Sequence, residues 1–264
     1  MNVIVTLTTI PSRLNDPNPL GIRQCIESLI VQDYKNFEIH FNVPFKYKLS
    51  GEEYAIPEWL TVLVNTYTCL KIFRVEDKGP ITKVLPTLER ITDPETIIIV
   101  VDDDIVYVPE MVSEHVKKQA QFTNCALGYD GLGAVKRPIF HDQRDHYVVS
   151  VPLDVEVKIL QHYKSVSYKR KYFKPDFFTD FLGKTTSDDI LLSAYMTTQG
   201  IKKFVLCYDK EDKITNLETW CLKGGVLTFP VVCHTTRDGP DGCSDARAGE
   251  RFFIPKEFAE KGLV

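Results

Sequence analysis

Three consecutive aspartates, Asp102, Asp103 and Asp104, follow directly on the apolar run Thr96-Ile97-Ile98-Ile99-Val100-Val101. Carboxylate oxygens are hard donors, and two at close spacing can share one divalent ion together with the phosphate oxygens it holds. Side chains alternate along an extended chain, so Asp102 and Asp104 are expected on one side and Asp103 on the other. A plain turn is the alternative, since aspartate is common in turns. Three in a row nevertheless repel one another unless a cation offsets their charge. A second acidic pair, Asp188-Asp189, stands in Ser187-Asp188-Asp189-Ile190-Leu191-Leu192-Ser193. Capping competes with chemistry there: Ser187 is a good N-cap, and the helix dipole stabilises acids in a first turn.

The elements that must position these acids are legible from periodicity. Ile97 to Val101 is short and β-branched throughout, which predicts a strand buried on both faces in a parallel sheet. Ligands bind beyond the carboxyl ends of such strands. Val3 to Leu7 is a first strand, ending in Thr8-Thr9-Ile10-Pro11-Ser12-Arg13, and Leu20 to Val31 an amphipathic helix. Phe37, Ile39, Phe41 and Val43 alternate with Glu38, His40 and Asn42, a half-exposed strand with His40 on its polar face. Leu60 to Val64 and Leu70 to Val75 are further strand candidates. Gly79-Pro80-Ile81-Thr82-Lys83 leads into a helix over Val84 to Ile91, and Pro109 opens another running to about Phe122. In the less regular second half, strands are expected within Ala126 to Pro138 and Tyr147 to Val157, at Lys203 to Tyr208 and at Val226 to Cys233. A helix spans Ser187 to Thr198, and the turn-rich tail from Asp238 is a candidate lid.

At 264 residues, with 44% apolar and 26% charged residues, the chain suits one α/β domain. A net charge of -4 leaves no footprint for nucleic acid. Lys164, Lys169, Arg170, Lys171 and Lys174 interleave with Tyr163, Tyr168, Tyr172 and Phe173, a stretch that could grip phosphates or an acidic acceptor, or simply form a solvated loop or strand. No apolar run approaches the ~20 residues of a membrane span. Seven scattered cysteines without a metal-type pair read as reduced thiols in a cytoplasmic setting. Phe177-Phe178-Thr179-Asp180-Phe181-Leu182-Gly183 brings aromatic faces up to the acidic pair, as a sugar acceptor site would need.

The order of Thr8-Thr9-Ile10-Pro11-Ser12-Arg13, Gly79-Pro80-Ile81-Thr82-Lys83, Asp102-Asp103-Asp104-Ile105 and Ser187-Asp188-Asp189-Ile190 resembles the GT-A fold glycosyltransferases, over roughly residues 1–235. The likeness is greatest to small soluble enzymes of bacteria and large DNA viruses. It implies a mostly parallel, Rossmann-like central sheet flanked by helices, with a smaller acceptor-side region. Residues 1–108 would form the nucleotide-sugar half, 109–235 the acceptor side and 236–264 the tail. By the same resemblance Thr8 and Arg13 would lie near the nucleotide and diphosphate. Lys83, Asp102 and Asp103 would contact the donor, a UDP-sugar being the expected one. Asp104, with Asp102 and His234, would hold Mn²⁺ or Mg²⁺, and Arg237 would reach the diphosphate. A carboxylate of the pair Asp188 and Asp189 would take the proton of a carbohydrate acceptor, with inversion. The commoner form of that pair is Glu-Asp, so either aspartate could be the base.

Two other classes share these residues. A nucleotidyl or phosphoryl transferase would use the carboxylates for metals, although no P-loop pattern occurs in the chain. A carbohydrate-binding protein would keep the fold without turnover.

Overall fold

The computed structural model describes residues 2–16, 21–134, 147–149, 154–184, 187–206, 258 and 260–263. The first half is a βα succession. It runs β1 (Val3–Leu7), α1 (Pro11–Leu14), α2 (Ile22–Ile30), β2 (Glu38–Pro44), α3 (Glu58–Thr66), β3 (Leu70–Val75), a 3₁₀ turn (Gly79–Lys83), α4 (Leu85–Arg90), β4 (Ile97–Val100) and α5 (Met111–Gln121). The second half adds β5 (Cys125–Gly128), β6 (Asp130–Ala134), β7 (Tyr147–Val149), β8 (Val155–Leu160), a 3₁₀ turn (His162–Lys164), β9 (Val166–Lys169), α6 (Asp188–Thr198) and β10 (Lys202–Val205). The strands form one sheet in the order β3-β2-β1-β4-β9-β5-β10-β8-β6-β7. From β3 to β4 every pairing is parallel. Beyond β4 the sheet is mixed, β9 running antiparallel to both β4 and β5.

β4 carries the expected double burial. Ile97, Ile99 and Val101 join the core shared with α2, α3 and α5, while Ile98 and Val100 join the core shared with α4 and α6. A period of two with both faces apolar gives this result only when helices cover both sides. The order turns at β1, with β2 on one flank and β4 on the other, so the switch point where such sheets bind ligands lies beyond the carboxyl ends of β1 and β4.

Two expectations are corrected. Leu60 to Val64 is not a strand but the middle of α3: Leu60, Leu63 and Val64 follow helical spacing onto the core, and Val62 is left exposed. A short apolar run fits either period, and tertiary packing selects one. β2 is not half-exposed either. His40 is buried against the Phe73 ring, and Asn42 because α4 lays polar side chains over it. Asn42 Nδ2 donates to Thr87 Oγ1 at 3.1 Å, and Asn42 Oδ1 accepts from Arg90 at 2.7 Å. The Val226–Cys233 strand and nearly all of the tail lie outside the described residues.

Candidate active site beyond β1 and β4

The acidic triplet leaves the sheet where β4 ends. The Asp102 amide donates to the Tyr107 hydroxyl at 3.0 Å, and that oxygen lies 3.0 Å from the Tyr163 carbonyl. Extended geometry stops there: Asp103 and Asp104 sit in a turn, so the strict alternation expected of the triplet does not hold. Both face Arg13 from α1, whose guanidinium makes a close ion pair with Asp103 and meets Asp104 Oδ2 at 3.1 Å. Thr9 Oγ1 donates to Asp103 at 2.5 Å. Thr8, one residue earlier, donates to the Asn42 carbonyl at 2.7 Å and stands at the same end of the sheet.

Lys83 joins the triplet to the second acidic pair. Gly79, with φ of 77°, takes the left-handed turn that starts the 3₁₀ segment. The carbonyl of Lys83 is then fixed on β1 and β2 by Thr6 Oγ1 at 2.5 Å and Asn42 Nδ2 at 3.2 Å. Its buried ammonium reaches Asp102 Oδ1 at 2.5 Å and Asp188 Oδ2 at 2.9 Å. Asp188 and Asp189 open α6, where Ser187 Oγ accepts the Ile190 amide, so the capping role holds as well. His162 closes the far side. Its Nδ1 lies 2.9 Å from Asp188 Oδ2 and 2.5 Å from Asp189 Oδ1, its amide donates to Asp189 at 3.0 Å, and its Nε2 pairs with the Tyr168 hydroxyl at 2.9 Å.

Charge explains how these groups titrate. Burial opposes the Lys83 ammonium, but Asp102, Asp188 and Asp189 hold its pKa well above the ordinary value. Burial opposes the His162 imidazolium too, and Asp189 and Asp188 push it up to about 9. The two acids that share Lys83 move in opposite directions. Burial drives Asp102 up to about 6; Lys83 works against this, while Asp104 and Asp188 add to it. For Asp188 burial acts upward as well, but Lys83 and His162 together hold the carboxyl far below the usual range. The second cation makes the difference. Nearby, burial raises Asp130 to about 6, against Lys164 and the Tyr163 hydroxyl.

The donor set can be tested for a metal. Five carboxylates (Asp102, Asp103, Asp104, Asp188 and Asp189) face three basic side chains (Arg13, Lys83 and His162). Two negative charges are left over, the charge of one divalent cation. Among the described residues, His162, Asp188 and Asp189 bring ligand atoms within 4.8 Å of one another. Lys83, 2.9 Å from Asp188, already balances that group, and a protonated His162 is no ligand. The oxygen-only triplet suits a hard cation such as Mn²⁺ or Mg²⁺ better. His234 and Arg237 lie outside the described residues.

The structure thus gathers Thr8, Arg13, Lys83, Asp102, Asp103, Asp104, Asp188 and Asp189 at one end of the sheet. It adds His162, Thr9, Tyr107 and Asp130, which sequence reasoning did not single out. His162 had one local signal, its place just after the apolar strand β8. In the aromatic run before α6 only Phe177 is fully buried, while Phe178 and Phe181 are partly exposed. Phe177 packs against Phe173 and Tyr195, with ring centroids at 5.1 and 4.9 Å, and Phe178 and Phe181 pack on the same core.

No family model matches the chain, and no curated protein matches it. Solved structures share its fold. TarS 1-349 of S. aureus in complex with UDP-GlcNAc is 15% identical over 82% of this chain, with a TM-score of 0.51. GalNAc-T7 with UDP, GalNAc and Mn²⁺ is 12% identical over 77%, with a TM-score of 0.54. The 4-diphosphocytidyl-2C-methyl-D-erythritol synthase of Anaerococcus prevotii DSM 20548 is 11% identical over 88%, with a TM-score of 0.50. This chain spans 61% of the TarS structure, 41% of GalNAc-T7 and 96% of the synthase. The shared feature is the fold: a GT-A-type, Rossmann-like α/β architecture with a large central sheet flanked by helices.

Proposed function

We propose that this chain is a metal-dependent glycosyltransferase that moves a sugar from a nucleotide-sugar donor, a UDP-sugar, to a carbohydrate acceptor with inversion. The observation that carries this reading is the Lys83 bridge, which joins Asp102 beyond β4 to Asp188 at the start of α6 in one site. A donor-side acid cluster and an acceptor-side acid pair held side by side are what transfer between two substrates requires. The UDP and UDP-GlcNAc of the TarS structures and the UDP and Mn²⁺ of GalNAc-T7 support the donor and metal.

In this reading Thr8, Arg13, Lys83, Asp102 and Asp103 serve the donor, and Asp104 with Asp102 holds Mn²⁺ or Mg²⁺, joined by His234. The metal supplies a positive charge against which the diphosphate leaves. Asp189 is the base. The acceptor oxygen attacks the anomeric carbon, the bond to the diphosphate oxygen breaks with its electron pair on the diphosphate, and the hydroxyl proton passes to Asp189. Asp189 is the more open of the pair, with a side-chain exposure of 25% against 10% for Asp188. Both acids meet His162, but Asp188 alone also pairs with Lys83, so Asp188 is the poorer proton acceptor and positions Asp189 and Lys83 instead.

The chain is further proposed to be one domain, with residues 1–108 as donor half, 109–235 as acceptor side and 236–264 as a tail over the site. Free Cys25, Cys69 and Cys125 support a reducing, cytoplasmic setting. Among the described residues no helix is long and apolar enough to cross a membrane.

The test is UDP release from a panel of UDP-sugars with Mn²⁺, with EDTA as control. Metal-dependent release from one sugar is expected. A second reading, nucleotidyl transfer, draws on the fold shared with the diphosphocytidyl-methylerythritol synthase. It predicts pyrophosphate release from a nucleoside triphosphate instead of UDP release. Binding of donor without either product would leave a carbohydrate-binding protein.

A further inference from the structure

The 3₁₀ turn His162–Lys164 is held from several sides. The Tyr107 hydroxyl lies 3.0 Å from the Tyr163 carbonyl, and the Tyr163 hydroxyl donates to buried Asp130. Lys164 pairs with the same Asp130 at 3.8 Å. Ser165, just after the turn, has φ of 81°; its amide closes on the His162 carbonyl at 2.8 Å, and buried His115 meets its hydroxyl at 2.8 Å. A non-glycine residue keeps such a conformation only where its surroundings impose it. The basic stretch beyond is engaged as well: Lys169 and Lys171 pair with Glu95 at 3.3 and 2.6 Å, and Arg170 donates to the carbonyls of Leu88, Ile91 and Phe173.

This fixed turn meets Asp189 twice at one oxygen. The His162 amide donates to Oδ1 at 3.0 Å, and Nδ1 of the His162 ring lies 2.5 Å from the same atom. Among the described residues no donor reaches Oδ2. The ring is fully buried, whereas the Asp189 side chain is 25% exposed, so Oδ2 is the oxygen left open to a substrate. The ring is braced in its turn, with Nε2 2.9 Å from the buried Tyr168 hydroxyl. Asp188 differs, because its Oδ2 is shared between Lys83 and His162 at 2.9 Å each. A carboxylate serves as a base only when the accepting oxygen is held within reach of the proton it takes.

We propose that His162 is the positioning residue of the transfer: it fixes Asp189 through Oδ1, so that Oδ2 is the atom that takes the proton of the attacking hydroxyl. The role of the proton rests on the transferase reading above; the hold on Asp189 stands on the geometry. The acceptor O–H bond breaks towards Oδ2 as its oxygen bonds to the anomeric carbon, and the proton then leaves Oδ2 for solvent. It does not pass through the ring. The two acids already keep both ring nitrogens protonated, and Tyr168 beyond them is closed to solvent.

Two amide variants separate this role from a merely structural one. The Asn amide nitrogen is as many bonds from Cβ as Nδ1 is, and that of Gln as many as Nε2 is. Both variants remove the charge, and only His162→Asn keeps a donor where Asp189 is held. With Mn²⁺ and a UDP-sugar that the wild type turns over, His162→Asn should exceed His162→Gln in kcat by at least about tenfold, while KM and calorimetric UDP affinity agree within about twofold. Crystal structures should show Asp189 Oδ1 in place in His162→Asn and displaced in His162→Gln. Should either variant fold poorly, hydrogen exchange reports on the native ring: the His162 amide should exchange at least about tenfold faster in Asp189→Ala than in the wild type. Equal kcat in the two variants, a change in UDP affinity instead of kcat, an undisplaced carboxylate in His162→Gln or an unchanged exchange rate overturns the proposal. If no UDP-sugar is turned over while Asp189 shifts as described, the transferase reading alone fails and the hold of His162 on Asp189 stands.

Discussion

The ammonium of Lys83 stands 2.9 Å from Oδ2 of Asp188, with six strands among the described residues lying between the two in sequence. The same nitrogen is 2.5 Å from Asp102. One buried cation thus ties the turn before α4, the end of β4 and the start of α6 into a single unit, and disturbing it strands the buried carboxylate of Asp188 and the partly buried one of Asp102.

Lys83→Met is therefore expected to lower the unfolding free energy by about 3 kcal/mol, the usual scale for a buried ion pair broken on one side. Urea unfolding followed by circular dichroism measures it. A loss below about 1 kcal/mol would mean that the two acids find other partners, as surface pairs do.

Asp104→Ala separates metal binding from folding. Its carboxylate meets Arg13 at 3.1 Å, and Arg13 keeps Asp103 as a partner in the variant. Calorimetry should show Mn²⁺-dependent UDP affinity falling at least about tenfold while the thermal midpoint barely moves. Unchanged Mn²⁺ dependence would remove Asp104 from the metal site.

The acidic pair should divide by role. Asp189→Asn is expected to spare UDP binding and to lower turnover by about 10²- to 10⁴-fold, the range for loss of a general base. Asp188→Asn leaves Lys83 and His162 without their shared anion, so it should cost stability as well as turnover. Full turnover by Asp189→Asn would shift the base to Asp188.

Two histidines shape stability with pH in opposite senses. His162 rises to about 9 in the folded chain, so its contribution is complete below the unfolded value of about 6.5 and is lost as pH climbs from there to 9. Buried His115 is pushed down to about 3 by desolvation. Its contribution is present above about 6.5 and is lost as pH falls from there towards 3. Urea midpoints measured between these limits should peak near neutrality. His162→Gln should flatten the alkaline limb alone, and an unchanged limb would mean that His162 is not charged in the folded protein.

The chain's own periodicity determined a good deal. β1 and β3 span the short strand candidates Val3–Leu7 and Leu70–Val75, and α6 begins just after its Ser187 cap. These are local properties: hydrophobic period, capping and turn residues act within a few positions. The acids at the two ends of the site were legible for the same reason, since like charges in series stand out in any sequence. Local pattern failed where an element is decided by what covers it. Leu60 to Val64 fits a strand or a helix until the core selects one face, and β2 looks half-exposed until Arg90 and Thr87 of α4 close over Asn42.

The pairings inside the site were beyond the sequence altogether. Whether Asp104 faces Asp102 or Arg13, which acid of the second pair is neutralised, and that His162 sits beneath both depend on contacts between segments far apart in the chain. Sequence set which charges are present. Only the folded sheet, by bringing Lys83 between Asp102 and Asp188 in a place from which water is largely excluded, decided which charges cancel and which remain for chemistry.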